Sequence, residues 1–438
     1  MIKLKKLVIN GLFGHFNHEI KFKEGNITII TAPNGYGKTI CLKILDAIFN
    51  TKMDFLSELQ FSSIKLYSSN GAILIEKNEE DSSKSFTIYK GETKNDQENY
   101  TYSPKDDNFI NDKIYSIIRE KDLHLGNEQI LESLKKDKLN ERADILDAYL
   151  NFKIHKNHHI DIDITPKWLS IFRSSLNVHF IQDQRLIQRD DTSSHKQVKN
   201  NFVNTIEKYA AELATLIKES RDESGRISQR LDSSFPQRLL AENLSLSISS
   251  PDTLENDLKH LKEKTAKLVS YNLFATEHHP PNPEIPTKIK DEDRKALTLY
   301  VKDTKEKLSA YDDIHRKIEI FSRILNNNRL SFKKVKIAPD SGFYFLTKDE
   351  RKLKLTQLSS GEQHQVVLLF ELIFKTEANV LVLIDEPEIS LHVAWQKEFL
   401  NDLKEIIEIQ NMPVVIATHS PQIIGDNWDL TINLGKDD

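Results

Sequence analysis

A chain of 438 residues has room for two or three domains, and its 38% hydrophobic and 29% charged content is that of a folded, soluble protein, not a disordered one. The formal net charge of −5 argues against a strongly basic nucleic-acid groove while leaving room for a local patch. A single cysteine, Cys41, rules out a disulfide framework and suits a reducing cytoplasm.

Taken in order, Ile2 to Ile9 alternates lysine with apolar residues as a first strand does, without the continuous apolar core of a signal peptide. Glu19 to Phe22 returns, and Ile27 to Thr31 runs into Ala32-Pro33-Asn34-Gly35-Tyr36-Gly37-Lys38-Thr39, ahead of a helix through Leu42, Leu45 and Phe49. Strand, glycine-rich turn and helix are the context a P-loop requires: Gly35 and Gly37 let backbone N–H groups turn toward phosphate oxygens. Lys38 supplies charge at the outer phosphates, and Thr39 offers a hydroxyl to magnesium. Ala32 stands where glycine is usual, a small intrusion at a strand end. The nucleotide-binding set is Asn34, Gly35, Tyr36, Gly37, Lys38, Thr39 and Ile40.

Ser63 to Tyr67, Ala72 to Lys77 and Phe86 to Tyr89 are short strands, and the first 90 residues together suggest a mixed sheet around the P-loop. Residues 91–108 read as a solvated linker, and helical periodicity resumes from Phe109 to Leu150. His155, His158 and His159 with Asp161 and Asp163 invite a metal reading, but interleaved lysines and asparagines favour a wet loop. His278-His279-Pro280-Pro281 is a linker whose prolines forbid a helix.

Asn177 to Ile181 is a strand ending in Gln182-Asp183-Gln184-Arg185, where a glutamine could reach magnesium and the attacking water; Gln184 is favoured over Gln182. Amphipathic stripes follow at Phe202, Ile206, Tyr209, Leu213 and Leu216, then at Leu254, Leu258, Leu261 and Leu268, and again from Leu297 to Leu325. Interruptions at Phe235-Pro236 and Pro280 to Pro286 leave a short bundle or coiled-coil hairpin instead of a long arm. Strands at Ser331 to Ile337 and Phe343 to Leu346 lead to Leu358-Ser359-Ser360-Gly361-Glu362-Gln363. The apolar run Val380 to Ile384 then ends in Asp385-Glu386, as a buried parallel strand does when it delivers carboxylates to its carboxyl end. Asp385 suits magnesium held through water, and Glu386 suits polarising the attacking water. A second buried strand, Pro413 to Ala417, precedes His419.

Leu358 to Glu362 resembles the ABC-type signature, Asp385-Glu386 resembles Walker B with its catalytic glutamate, Ser390-Leu391-His392 the D-loop region, and His419 the switch histidine. The wide separation of Lys38 from Ser359 resembles the split heads of the SMC, Rad50, RecF and OLD families, not a transporter ATPase. The expected fold is therefore α/β, a split ABC-type ATPase head with a helical insertion: an amino-terminal lobe over 1–190, the insertion over 200–328 and a carboxy-terminal lobe over 329–438. The resemblance implies ATP and Mg2+ as cofactors, with magnesium at Thr39, Gln184 and Asp385, and Glu386 and His419 as catalytic residues. Ser359, Gly361 and Glu362 would act in trans on a partner's ATP, in a homodimer of heads or a higher even-numbered homo-oligomer. Ile384 to Gln396 and Thr418 to Ile424 further resemble bacterial anti-phage defence ATPases, the AriA type of PARIS systems first and the PtuA type of Septu next. That likeness implies a separate nuclease effector of TOPRIM or else HNH type and a phage-encoded trigger protein. The short tail after His419 leads us to expect no nuclease activity in this chain, and no membrane segment is expected. Direct nucleic-acid binding stays open, as part of a rival SMC/RecF-like repair reading.

Overall fold

The computed structural model describes residues 2–77, 84–94, 98–104, 165–182, 187–189, 202–240, 249–274, 290–327, 330, 332–389 and 391–435. The helices expected over Phe109 to Leu150, the His155 to Asp163 cluster, the His278 linker, Gln184 and Ser390 lie outside the described residues. In chain order the elements are β1 (Leu4–Leu12), β2 (Phe16–Lys21), β3 (Ile27–Thr31), α1 (Lys38–Phe49), α2 (Met53–Glu58), β4 (Ser63–Ser68), β5 (Gly71–Lys77), β6 (Phe86–Lys90) and β7 (Asn99–Tyr102). Then come α3 (Lys167–Ser174), β8 (Val178–Ile181), β9 (Ile187–Arg189), β10 (Phe202–Asn204), α4 (Thr205–Leu240), α5 (Pro251–Ser270), α6 (Asp291–Ser309) and α7 (Asp312–Asn326). The last are β11 (Lys333–Ala338), β12 (Gly342–Thr347), β13 (Lys352–Leu353), α8 (Ser360–Phe374), β14 (Leu381–Asp385), α9 (Val393–Gln410), β15 (Val414–Thr418), α10 (Pro421–Ile424) and β16 (Thr431–Asn433). These elements form two units.

The first unit comprises Met1–Asp183, Thr376–Ile389 and Gln396–Asp438. Its strands sort into two sheets. β1, β2, β4 and β7, whose burial largely alternates, join β5 and β6, each with three consecutive buried residues, in an antiparallel six-stranded sheet, β2-β1-β4-β5-β6-β7, while β3, β14 and β15 join a parallel five-stranded sheet, β16-β3-β15-β14-β8. A continuous apolar run tolerates cover on both faces, which is why β14 and β15 are buried along their whole length. This corrects the expectation of one mixed sheet around the P-loop, because β3 leaves its sequence neighbours for β15 and β16. Between the sheets α1 buries Cys41, Leu42, Ile44, Leu45 and Ile48 in the unit's core.

A second correction concerns residues 91–108. β7 lies within that stretch as the edge strand beside β6, with Tyr100 and Tyr102 inward and Asn99 and Thr101 outward. Tyr102 donates its hydroxyl to Asp54 at 2.6 Å, and Thr87 and Thr101 bond across the strands at 3.0 Å. Four residues of alternation inside a polar run are too weak a signal to read from sequence.

The second unit comprises Gln184–Lys375 and Ser390–Trp395. Here α4 runs through Pro236, where the sequence reading expects a break. Pro236 has no N–H for the Asp232 carbonyl, yet the helix continues past it, and nearby the Arg238 guanidinium donates to the Leu231 carbonyl at 2.7 Å. Arg238 also grips Asp303 of α6 through two bonds of 2.6 and 2.7 Å. The stripe residues Ile206, Tyr209, Leu213, Leu254, Leu258, Leu261, Leu268, Ile318 and Leu325 are all buried. α8 belongs to this unit, packed on α4 and α7 through stacked Tyr209 and Phe370 and a cluster of Phe321, Phe343 and Phe374. The signature motif therefore falls with the helices, whereas the sequence division groups it with the Walker B strand. No helix among the described residues is long and apolar enough to cross a membrane.

Candidate functional site

Strand order decides which residues meet. β15 lies between β3 and β14, all parallel, with Thr31 in register with Thr418 and Asp385 with Ala417. The P-loop, the two acids and His419 thus leave adjacent strands at their carboxyl ends, the usual crevice of an open parallel sheet.

The P-loop turns through left-handed backbone at Gly35 (φ +89°) and at Gly37 (φ +85°), the latter capping α1. A side chain at Gly37 would sit 2.8 Å from Leu12 Cδ2, whereas around Gly35 nothing lies within 4 Å. Lys38 is buried, its ammonium donating to the Ala32 carbonyl at 3.0 Å and the Pro33 carbonyl at 3.5 Å, with Glu386 Oε1 3.7 Å away. Ala32 is itself buried in the core, so its methyl group is accommodated. Asn34 is exposed, Tyr36 stacks obliquely on Phe16, and Ile40 packs against the core. His18 of β2, unread in the sequence, bonds the Tyr36 carbonyl through Nε2 at 2.8 Å and so ties the loop to the antiparallel sheet.

Thr39 donates its hydroxyl to Asp385 Oδ1 at 3.0 Å, bringing together residues 346 positions apart. Hydroxyl and carboxylate oxygens are hard donors, the chemistry magnesium takes, so this pair fits the ion assigned to it. Gln182, the other glutamine considered for that role, is exposed just beyond β8.

Glu386 leaves β14 at φ +44°, an uncommon conformation for glutamate, and its Oε2 meets His419 Nδ1 at 2.5 Å. Burial pushes its carboxyl above the usual range and the neighbouring Glu388 carboxylate adds to this, with His419 and Lys38 pulling the other way. That is the direction a general base near neutral pH needs. Glu386, Glu388 and His419 offer ligand atoms within 4.8 Å of one another, a grouping that also suits a metal. Lys38 facing Glu386 and backbone donors on Glu388 already compensate the charge without an ion.

In the second unit, Ser359 caps α8 as half of a capping box. Its N–H donates to Glu362 Oε2 at 2.8 Å, while its Oγ accepts from the Glu362 N–H at 3.3 Å. Glu362 Oε1 also receives the Lys333 ammonium at 2.5 Å. Burial alone would raise the Glu362 carboxyl, but Lys333 and the two Ser359 donors outweigh it and hold it below the usual range. Gly361 lies in the first turn of α8. The S-x-x-E pattern of this cap is legible in the sequence, though nothing there names Lys333 as its third member.

The family of AAA ATPase domains designated AAA_15 matches residues 2–424. The chain belongs to this AAA ATPase domain family. Protein ea59 of Escherichia phage lambda is 31% identical over 120 residues, which are 27% of this chain and 23% of ea59, so the chain spans under a quarter of that relative's length. Among solved structures, the Smc head domain of Pyrococcus furiosus, with an extended coiled coil and bound to the C-terminal domain of ScpA, is similar at 13% identity and a TM-score of 0.39, over 97% of this chain and 92% of that one. The SMC head domain of Thermotoga maritima is similar at 13% identity and a TM-score of 0.33, over 96% and 91%. The fold of this AAA ATPase is the expected α/β: the glycine-rich loop before α1 and the Asp385-Glu386 pair stand on one parallel sheet, and Leu358 to Gln363 leads into α8 of the helical unit.

Proposed function

We propose that this chain hydrolyses ATP as one half of a two-headed site and serves as the sensor and scaffold of an anti-phage defence system. The observation that carries the catalytic part is the meeting of Lys38, Thr39, Asp385, Glu386 and His419 at one end of one sheet. P-loop amides and Lys38 bind and orient the triphosphate, and Glu386 takes the proton of the attacking water while His419 holds Glu386 in place. Magnesium at Thr39 and Asp385 supplies charge neutralisation at the outer phosphates. Ser359 and the amide of Gly361 from a second copy complete the site, since a helix N-terminus favours phosphate oxygens.

The defence role rests on the sequence likeness of Ile384 to Gln396 and Thr418 to Ile424 to AriA-type ATPases. On this reading a TOPRIM-type nuclease is supplied by another chain and released when a phage protein is sensed. The test is the native mass of tagged Glu386→Gln protein recovered from its own host with ATP and magnesium, with co-eluting species identified. An even-numbered homo-oligomer carrying a nuclease supports the proposal. A monomer whose mass ignores ATP refutes the two-headed site.

One observation favours the rival nucleic-acid reading. The three-stranded sheet β11-β12-β13 presents Lys334, Lys336 and Lys352 to solvent around Tyr344, with Lys352 Nζ 4.5 Å from its ring. No strand of this sheet carries an acidic residue. Basic residues interleaved with an aromatic ring suit a phosphate backbone. Homodimers that carry DNA and no second protein, lost on exchanging the three lysines for glutamate, would establish that reading instead.

A further inference from the structure

Glu388 enters the sequence only as the last residue of Asp385-Glu386-Pro387-Glu388, with no role attached. In the structure it is 8% exposed, and Oε1 gathers donors from three successive residues after β15: the Thr418 hydroxyl at 2.6 Å, the His419 N–H at 3.0 Å and the Ser420 N–H at 3.2 Å. The same oxygen lies 3.2 Å from His419 Nδ1. A second strap runs alongside, in which Ser420 donates its hydroxyl to Gln396 Oε1 at 2.9 Å and Gln396 Nε2 reaches the Glu388 carbonyl at 3.4 Å.

We infer that Glu388 is the positioning residue for hydrolysis, a buried carboxylate that clamps the loop carrying His419 so that its imidazole stays on Glu386. A loop leaving a parallel strand has no ladder to fix it. Three bonds to one oxygen of an ionised acceptor, the stronger kind of hydrogen bond, fix it here. The turn at Glu386 matters too, because its left-handed backbone lets both carboxylates two residues apart face one imidazole. Glu388 touches neither water nor phosphate in this scheme; it acts through His419. A carboxylate that only stabilised the fold would affect melting and nucleotide affinity, and its effect would not depend on whether residue 419 is histidine.

The inference rests on the hydrolysis reading above, and the test separates the two. Glu388→Gln preserves shape and one acceptor oxygen but removes the charge. Phosphate release, the affinity for a fluorescent ATP analogue and the melting temperature are measured for wild type, Glu388→Gln, His419→Ala and the double variant. We expect kcat to fall about 10- to 100-fold in Glu388→Gln, the range set by weakening one charge-assisted bond, with affinity unchanged within about twofold. In the His419→Ala background the same exchange should lower kcat by less than about twofold, because its target is gone. Equal kcat in Glu388→Gln and wild type overturns the assignment, and so does a full fall in both backgrounds. A wild-type chain with no turnover overturns the hydrolysis reading and the assignment with it.

Discussion

Replacing Gly37 by alanine strains the phosphate loop in two separable ways. Backbone at φ +85° costs an alanine about 1–2 kcal/mol, because Cβ approaches the following carbonyl. The new methyl group also lies 2.8 Å from Leu12 Cδ2, so Leu12 must leave its rotamer for about 0.5–1.5 kcal/mol more. Gly35→Ala is the matched control: at φ +89° it carries the first cost, and with nothing within 4 Å it escapes the second. Urea unfolding should therefore rank wild type above Gly35→Ala above Gly37→Ala, the variants separated by about 0.5–1.5 kcal/mol. Where the loop relaxes instead, the amides behind Lys38 no longer converge, and the cost moves to the affinity for a fluorescent ATP analogue. Identical stability and identical nucleotide affinity in the two variants would refute the reasoning.

Glu386→Gln should lower phosphate release by about 10²- to 10⁴-fold while retaining nucleotide, the span expected for a general base; unaltered turnover would sink the mechanism. Its folded carboxyl lies above its unfolded value, so its contribution to stability is favourable in acid and lost as pH rises through the folded value. Melting should accordingly show Glu386→Gln gaining on wild type toward neutral pH, and that gain vanishing in acid. Glu362 has the opposite sign: its stabilisation is present above the ordinary carboxylate value of about 4.3 and lost as pH falls through its lowered folded value. Lys333→Ala should flatten that acid limb in a pH series of melting temperatures. Burial pushes the Cys41 thiol up to about 12, so a thiol reagent at neutral pH should label the chain only after denaturant is added; fast labelling of folded protein would contradict the packing of α1.

Much of the site was legible because its motifs are local. A strand, two glycines, Lys38 and Thr39 announce phosphate chemistry within one stretch, and an apolar run ending in Asp385-Glu386 announces a carboxylate-bearing parallel strand. The strands β1, β3, β5, β8, β14 and β15 were likewise visible as alternation or as continuous apolar runs. Other features needed the fold. β7 hides in a polar stretch because Tyr102 finds its partners, Phe86 and Asp54, only across space. Pro236 sits inside a helix whose next turn Arg238 ties to Asp303 of α6, a partner 65 positions away. His18 and Lys333 gained their roles the same way, through one hydrogen bond each to residues 18 and 29 positions away, and Glu388 through three to residues 30 to 32 positions away. What the sequence determined by itself was the chemistry of each segment, since backbone freedom, charge and apolar period are properties of neighbours. Only the tertiary structure decided which segments meet, because placing β15 between β3 and β14 depends on burying all three on both faces at once, and that order sets His419 beside Glu386.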